Sequence, residues 1–322
     1  MKASQLFSSV VEAMEESPLV SLDRLTSVAG VEGKILAKLD YLLPGFSKKD
    51  RAARKIIEDA RASGELRSGQ TVVELTSGNM GTGLAIVCAV LGHPFVAVMS
   101  AGNSPERARM MHALGAEVVL VPQTAAATPG KVSGADLDLV EIEAQRLTKA
   151  RNAFRADQFE REGNRVAYRD GTGAEILRQS GGAVTAFCDF VGTGGSLAGC
   201  AAAFSAAGAD VRCYAAEPEG AEAIAGGDVS HPDHPIQGGG YARSTLTHLR
   251  DLKLAGTVVV SGKAARDTAR LLARTEGVFG GYSGGANVAA ALDLLRGRER
   301  GGVVAVIIPD SGLKYLSTDL WE

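Results

Sequence analysis

Along the chain, short apolar runs rich in Val and Ile alternate with longer stretches whose apolar residues recur at three- and four-residue spacing. The runs at 35–39 (ILAKL), 71–75 (TVVEL), 94–99 (PFVAVM), 116–121 (AEVVLV), 185–191 (TAFCDFV), 210–216 (DVRCYAA), 256–260 (GTVVV) and 303–308 (VVAVII) predict strands. The stretches 49–63, 79–92, 104–114, 134–150, 163–180, 195–207, 262–276 and 284–296 predict helices, several closing with Gly or Leu-Gly before the next strand. Continuous apolar strands separated by helices belong to parallel sheets covered on both faces, so the fold class is α/β. Strands 71–121 would build one sheet and strands 185–308 another, with a cleft between them. Sites in such folds lie at the C-terminal ends of strands, where the next helix begins.

Composition narrows the partners. The 322 residues carry 34 Lys+Arg against 37 Asp+Glu, a net charge of -3, with no basic stripe. Nucleic acid and anionic membranes both demand a concentrated cationic face, so the expected partner is a small molecule. No uncharged apolar run reaches the roughly 18–20 residues of a membrane span, and the opening MKASQLFSSVVEAMEES has no continuous apolar segment. Cys88, Cys188, Cys200 and Cys213 sit in small apolar runs without a CxxC pair and read as reduced core residues, which suits a cytoplasmic protein. His231 and His234, in HPDHP, read as a solvated loop with no ligand role. The 40 glycines show no collagen period and are expected in turns.

Two glycine-rich turns stand at strand-to-helix junctions: Thr76-Ser77-Gly78-Asn79-Met80-Gly81 after VVEL, and Gly192-Thr193-Gly194-Gly195-Ser196 after TAFCDFV. Orphan N–H groups at a helix start, with hydroxyls beside them, favour a carboxylate or phosphate. Either turn alone is equally an N-cap with packing glycines. Nucleotide fingerprints fail, because Leu197 stands where a dinucleotide motif wants its third Gly and no Walker A sequence is present. Gly281-Tyr282-Ser283-Gly284-Gly285 matches the hydrolase pattern G-x-S-x-G, but the last histidine, His248, precedes it, and an α/β-hydrolase needs one after its Ser. In Gly45-Phe46-Ser47-Lys48-Lys49-Asp50-Arg51, Lys49 would open a helix beside Lys48 and Arg51, neighbours that disfavour its ammonium form, as an imine-forming amine requires.

Taken together, Ser47-x-Lys49-Asp50-Arg51, Thr76-Ser77-Gly78-Asn79, Gly192 to Ser196 and Gly281-x-Ser283, in that order, resemble the cysteine synthase and cystathionine β-synthase family of fold type II pyridoxal-phosphate enzymes. The resemblance spans nearly the whole chain, taking in Pro18-Leu19-Val20, Gln158-Phe159, Gly171-Thr172-Gly173-Ala174-Glu175, Ile236-Gln237-Gly238 and Pro309-Asp310-Ser311-Gly312. It implies a tryptophan-synthase-β-like fold, with a smaller, mobile substrate-binding domain at 45–155 and a larger cofactor-binding domain from 1–44 plus 156–322. It implies Lys49 as the residue joined to pyridoxal phosphate and moving the α-proton, and Asn79 on the cofactor's 3′-oxygen. Gly192, Thr193, Gly194, Gly195 and Ser196 would hold the phosphate, and Ser283 would meet the ring nitrogen. Thr76, Ser77, Gly78, Met80 and Gln158 would hold the substrate carboxylate.

The implied activity is β-replacement on an O-activated serine through an aminoacrylate, with O-acetylserine and sulfide giving cysteine in the cysteine synthases, or with another donor or nucleophile. The alternative within the fold is a β-elimination lyase or deaminase, such as a serine or threonine dehydratase or a cysteine desulfhydrase. Outside it stand a non-catalytic anion-binding module, which has no use for Lys49, and a serine hydrolase acting through Ser283. The resemblance also implies a homodimer. Some positions depart from the family pattern: Met80 replaces a Thr, Phe46 a Gly and Lys48 an apolar residue. The loops after Gln158 and Gly238 differ as well, so Tyr241 or Arg243 could read a different donor or acceptor.

Overall fold

The computed structural model describes residues 6–76, 78–125, 132, 134–227, 229–232 and 234–322. β1 (Leu19–Ser21) and β2 (Lys34–Lys38) pair antiparallel across α1 (Asp23–Ala29). The chain then crosses to a second sheet through α2 (Lys49–Ala62), β3 (Val72–Leu75), α3 (Asn79–Leu91), β4 (Phe95–Ser100), α4 (Pro105–Ala113), β5 (Glu117–Val121), α5 (Gly134–Ala150) and β6 (Phe154–Arg155). These four strands are parallel, in the order β5-β4-β3-β6. Returning, the chain forms α6 (Glu162–Ala167), α7 (Ala174–Gln179), β7 (Ala186–Phe190), α8 (Gly195–Ala206), β8 (Arg212–Pro218), β9 (Gly256–Val260), α9 (Gly262–Glu276), α10 (Tyr282–Arg296) and β10 (Val303–Ile307). They complete a six-stranded sheet, β1-β2-β10-β7-β8-β9, parallel except at β1.

All eight strands expected from the apolar runs are present, within two residues at each end. β1 and β6, of three and two residues, are too short to leave a pattern. The helix expected over 163–180 is interrupted by a wide π-helical turn at Tyr168–Gly173. The cause is tertiary: a side chain at Gly173 would lie 2.8 Å from the backbone of Cys200, so this turn presses directly on α8. The widened turn also aims the Thr172 hydroxyl at Asp40, 2.9 Å away.

One apolar core lies between α2, α3 and both sheets, a second beneath α9 and α10, and a third under α5. The four cysteines are buried and unpaired, and burial pushes the Cys88 and Cys213 thiols up to about 12. A buried ionic cluster docks the start of α2 on the larger sheet: Arg51 meets Asp40 at 3.2 Å and Glu175 at 2.7 Å, and Lys38 meets Glu175 at 2.6 Å. Among the described residues no helix is long and apolar enough to cross a membrane.

Candidate active site

Four helix starts converge where the sheets face each other: those of α2, α3, α8 and α10. What joins them is the segment that follows β10. Lys48 donates its N–H to the Pro309 carbonyl at 2.7 Å, Ser311 donates to Phe46 at 3.1 Å and Gly281 to Asp310 at 3.0 Å. The Phe46–Lys49 turn and the Gly281–Ser283 turn are thereby clamped onto one strap. There is no room for a side chain at Gly281, where a Cβ would lie 2.3 Å from both Asp310 and Tyr315. Phe46 holds φ at 58°, the left-handed region that glycine favours, so its side chain is kept at a backbone cost.

Lys49 is the first residue of α2 and is partly open to the cleft. Burial, and then the neighbouring Lys48 ammonium, bring its proton affinity down to about 7, against the opposing carboxylates of Asp189 and Glu74. An amine at that value is substantially neutral at physiological pH. Beyond it, Thr76 shapes the start of α3, its Oγ1 accepting the N–H groups of Gly78 at 3.0 Å and Gly81 at 2.9 Å. Gly78 sits at φ 129°, where a Cβ would strike Arg107 at 2.6 Å. Ser77 lies outside the described residues. Met80 is 2% exposed and packs in the apolar core, so what it can offer an anion is the N–H of the first helical turn, not its side chain. Asn79 is fixed at both ends, donating to Asp310 at 2.7 Å and accepting from Lys314 at 2.8 Å.

Opposite stands the cradle that opens α8. Gly194 is left-handed at φ 83°, and a Cβ at Gly192, Gly194 or Gly195 would lie 2.6–2.8 Å from Gly238, Leu249 or Asn164. Thr193 Oγ1 accepts from the N–H of Gly195 at 3.3 Å and from Asn164 at 3.0 Å. Ser196 turns inward, its hydroxyl donating to Asp189 and accepting from Lys48 at 2.8 Å. Gln158 is buried between the two turns. Its side-chain amide donates to the Leu75 carbonyl at 3.2 Å, and its own carbonyl accepts from Asn164 at 2.6 Å and lies 3.0 Å from His248 Nε2. Ser283, 9% exposed, occupies the first turn of α10.

The mouth of the cleft is a cavity of about 480 Å³ between Asn103 on one side and Gln237, Gly238, Tyr241 and Thr318 on the other. A larger groove of about 840 Å³ runs along the outer face of α8, but the cradle, Lys49 and the α3 turn converge on the cleft. Arg243 is turned away from the cavity, toward Asp138 at 3.1 Å and the Phe159 ring. His234 is held by the Gly240 carbonyl at 2.9 Å.

The profile of the family described as "Pyridoxal-phosphate dependent enzyme" matches residues 10–310. The chain belongs to this family. It is 36% identical over 319 residues to the O-ureido-L-serine synthase of Streptomyces lavendulae, covering 98% of this chain and 93% of that protein. To a cysteine synthase of Staphylococcus aureus it is 33% identical over 324 residues, 99% of each chain. The crystal structure of an O-acetylserine dependent cystathionine β-synthase from Helicobacter pylori superposes with a TM-score of 0.89 at 27% identity, covering 99% of this chain and 100% of that one.

The residues present fit the family's cofactor: a glycine turn packed too closely on its neighbours to admit side chains, at a helix N-terminus suited to a phosphate, accompanies an amine of lowered proton affinity. The structure gives work to residues to which the sequence assigned no role, although Asp310, Lys314 and Tyr315 stand in stretches that carry the family resemblance. Asp310, Lys314 and Tyr315 orient Asn79, with Tyr315 donating to Asp310 at 2.7 Å. Asn164 and His248 tie Gln158 to the cradle. Asp189 grips Lys48. The one signal for Asp189 in the sequence is a lone carboxylate within the apolar run TAFCDFV.

Proposed function

We propose that this protein catalyses pyridoxal-phosphate-dependent β-replacement on an O-activated serine-type amino acid, with Lys49 holding the cofactor and moving the substrate's α-proton. Bound at this site, pyridoxal phosphate supplies the electron sink that allows an amino acid to lose its α-proton and its β-substituent. The chain's own groups do the rest. The backbone of Gly192 to Ser196 and the first turn of α8 hold the phosphate. Asn79, oriented by Asp310 and Lys314, offers its remaining N–H to the ring oxygen. Ser283 meets the ring nitrogen with a neutral hydroxyl, which does not enforce its protonation. The turn shaped by Thr76 and Gly78 grips the substrate carboxylate through the Met80 N–H in the first turn of α3 and the Gln158 amide. Lys49 accepts the α-proton because its amine is neutral near pH 7.

The observation that carries this reading is Lys49 itself, an amine with proton affinity near 7 set between a phosphate cradle and a second anion-binding turn. Replacement is favoured over elimination by the relatives, two synthases. The test is borohydride reduction of the cofactor-loaded protein with mapping of the adduct, followed by a spectral and product screen. The donors are O-acetylserine, O-phosphoserine, serine, threonine and cysteine, each with and without sulfide. Expected are an adduct on Lys49, absent in Lys49→Ala, and a β-substituted amino acid as product. No adduct at Lys49 sinks the assignment, and stoichiometric keto acid despite abundant sulfide would replace it by elimination. The family resemblance further supports a homodimer, checked by sedimentation, and four buried unpaired cysteines support a reducing compartment such as the cytoplasm.

A further inference from the structure

The residue before Lys49 carries a second ammonium into the same site. Lys48 Nζ lies 2.8 and 3.1 Å from the two carboxylate oxygens of Asp189 and 2.8 Å from the Ser196 hydroxyl. Its main chain is fixed as well, the N–H on Pro309 at 2.7 Å and the carbonyl accepting from the buried Tyr168 hydroxyl at 3.2 Å. Asp189, next to the C-terminal end of β7 and 1% exposed, is shared: it also accepts from Ser196, and from Asn287 at 3.0 Å, one turn along α10 from Ser283. One carboxylate thus ties together α2, α8 and α10, the helices that open on the cradle, on Lys49 and on Ser283.

Stability does not explain such a pair. Desolvating two charges costs several kcal/mol, and well-packed apolar residues of similar volume hold a fold as well or better. Asp189 divides its acceptor capacity among three donors, so the Lys48 charge is only partly cancelled from the side of Lys49.

We propose that Lys48 is a positioning residue for Lys49: its ammonium, pinned by Asp189 and Ser196 beneath the cradle, keeps the adjacent amine in its neutral, proton-accepting form. This rests on Lys49 being the reacting amine. The charged and titratable groups facing Lys49 are Lys48 from its own helix, Asp189 from β7, Glu74 from β3 and His248 from the segment before β9. Burial lowers the proton affinity of His248, with Lys49 adding to that effect, so the imidazole adds no positive charge at neutral pH. Lys48 is therefore the cation that opposes a proton on Lys49, while Asp189, and Glu74 once it is ionised, favour it. Ser196, its hydroxyl spent on the pair, serves the phosphate through its backbone, and the Lys48 charge stands directly behind it.

The charge arrangement predicts opposite signs for two substitutions. Lys48→Met removes the repelling cation and leaves the Asp189 carboxylate uncompensated, and both effects stabilise the Lys49 ammonium. Asp189→Asn removes an attracting anion and leaves the Lys48 cation uncompensated. The measurement is competitive trace acetylation of the full-length, cofactor-free protein between about pH 5 and about pH 10, with the Lys49 peptide quantified by mass spectrometry. Expected are a midpoint near 7 in the unaltered chain, a rise of about one pH unit in Lys48→Met, recovery in Lys48→Arg and a fall in Asp189→Asn. A midpoint unmoved in folded Lys48→Met, or moved upward in Asp189→Asn, overturns the proposal. If Lys48→Met does not fold, the sign in Asp189→Asn decides. Borohydride trapping on the same variants separates the two readings. An unmoved midpoint with cofactor still trapped on Lys49 removes this inference alone, and a shifted midpoint without trapping removes the function alone.

Discussion

Single side chains set the chemistry here through what burial does to their charge. Glu74, fully buried on β3, accepts the N–H of Gln158 at 3.3 Å and lies 3.7 Å from Arg155 Nε. Burial outweighs these partners and raises its proton affinity to about 7. The native state therefore holds a proton that an unfolded Glu, titrating at about 4.3, releases. Stability is greatest below that lower value and falls as pH rises toward 7, by on the order of 3 kcal/mol from this group. Asp50, also raised to about 7 by burial, acts in the same window. Glu74→Gln should flatten part of that slope in urea midpoints measured from about pH 4 to about pH 8. Because the Glu74 carboxylate also supports the backbone of Gln158, the same variant should raise KM for the amino-acid donor more than it lowers kcat. An unchanged pH slope would remove Glu74 from the account.

At the scale of elements, the close approaches are made by glycines whose replacement costs depend on what faces them. A Cβ at Gly285 on α10 would lie 2.0 Å from the Ala265 carbonyl and 2.8 Å from Ala269 on α9, contacts that backbone cannot yield cheaply. Gly30, which ends α1 at φ 64°, has nothing within 4 Å of a Cβ. Gly285→Ala should cost about 3 kcal/mol or more, enough to displace the start of α10 and Ser283 with it, and Gly30→Ala only the left-handed penalty of about 1–2 kcal/mol. Urea unfolding at constant m distinguishes them, and equal losses would mean that α9 and α10 can slide apart freely. The same kind of contact explains the break in the helix expected over 163–180. The apolar period over 163–180 is helical throughout, but the approach of Gly173 to Cys200 widens the turn at Tyr168–Gly173, and no local propensity records a neighbour distant in sequence.

For the whole molecule, the site is an agreement between two sheets. Lys49 and the α3 turn come from the crossing segment and the smaller sheet, the cradle and Ser283 from the larger. We expect substrate carboxylate to draw the 45–155 unit inward. Hydrogen exchange of the cofactor-loaded protein should slow at the α3 first turn and at 102–104 on adding an O-activated serine, and unchanged exchange at both would remove closure from the mechanism. Much of this was legible in the chain. Apolar runs bounded by glycine carry the strands and helices because burial and backbone geometry are written locally, and the motifs around Lys49, Asn79, Gly192 to Ser196 and Ser283 carry the family because each is a contiguous turn. The tertiary structure alone decided that Met80 faces the core, that Ser196 turns inward, that Asp310 and Lys314 orient Asn79, and that Asp189 holds Lys48. Such pairings join residues as far apart as Asn79 and Lys314, and whether a buried charge is partnered depends on packing in three dimensions, which no spacing along the chain encodes.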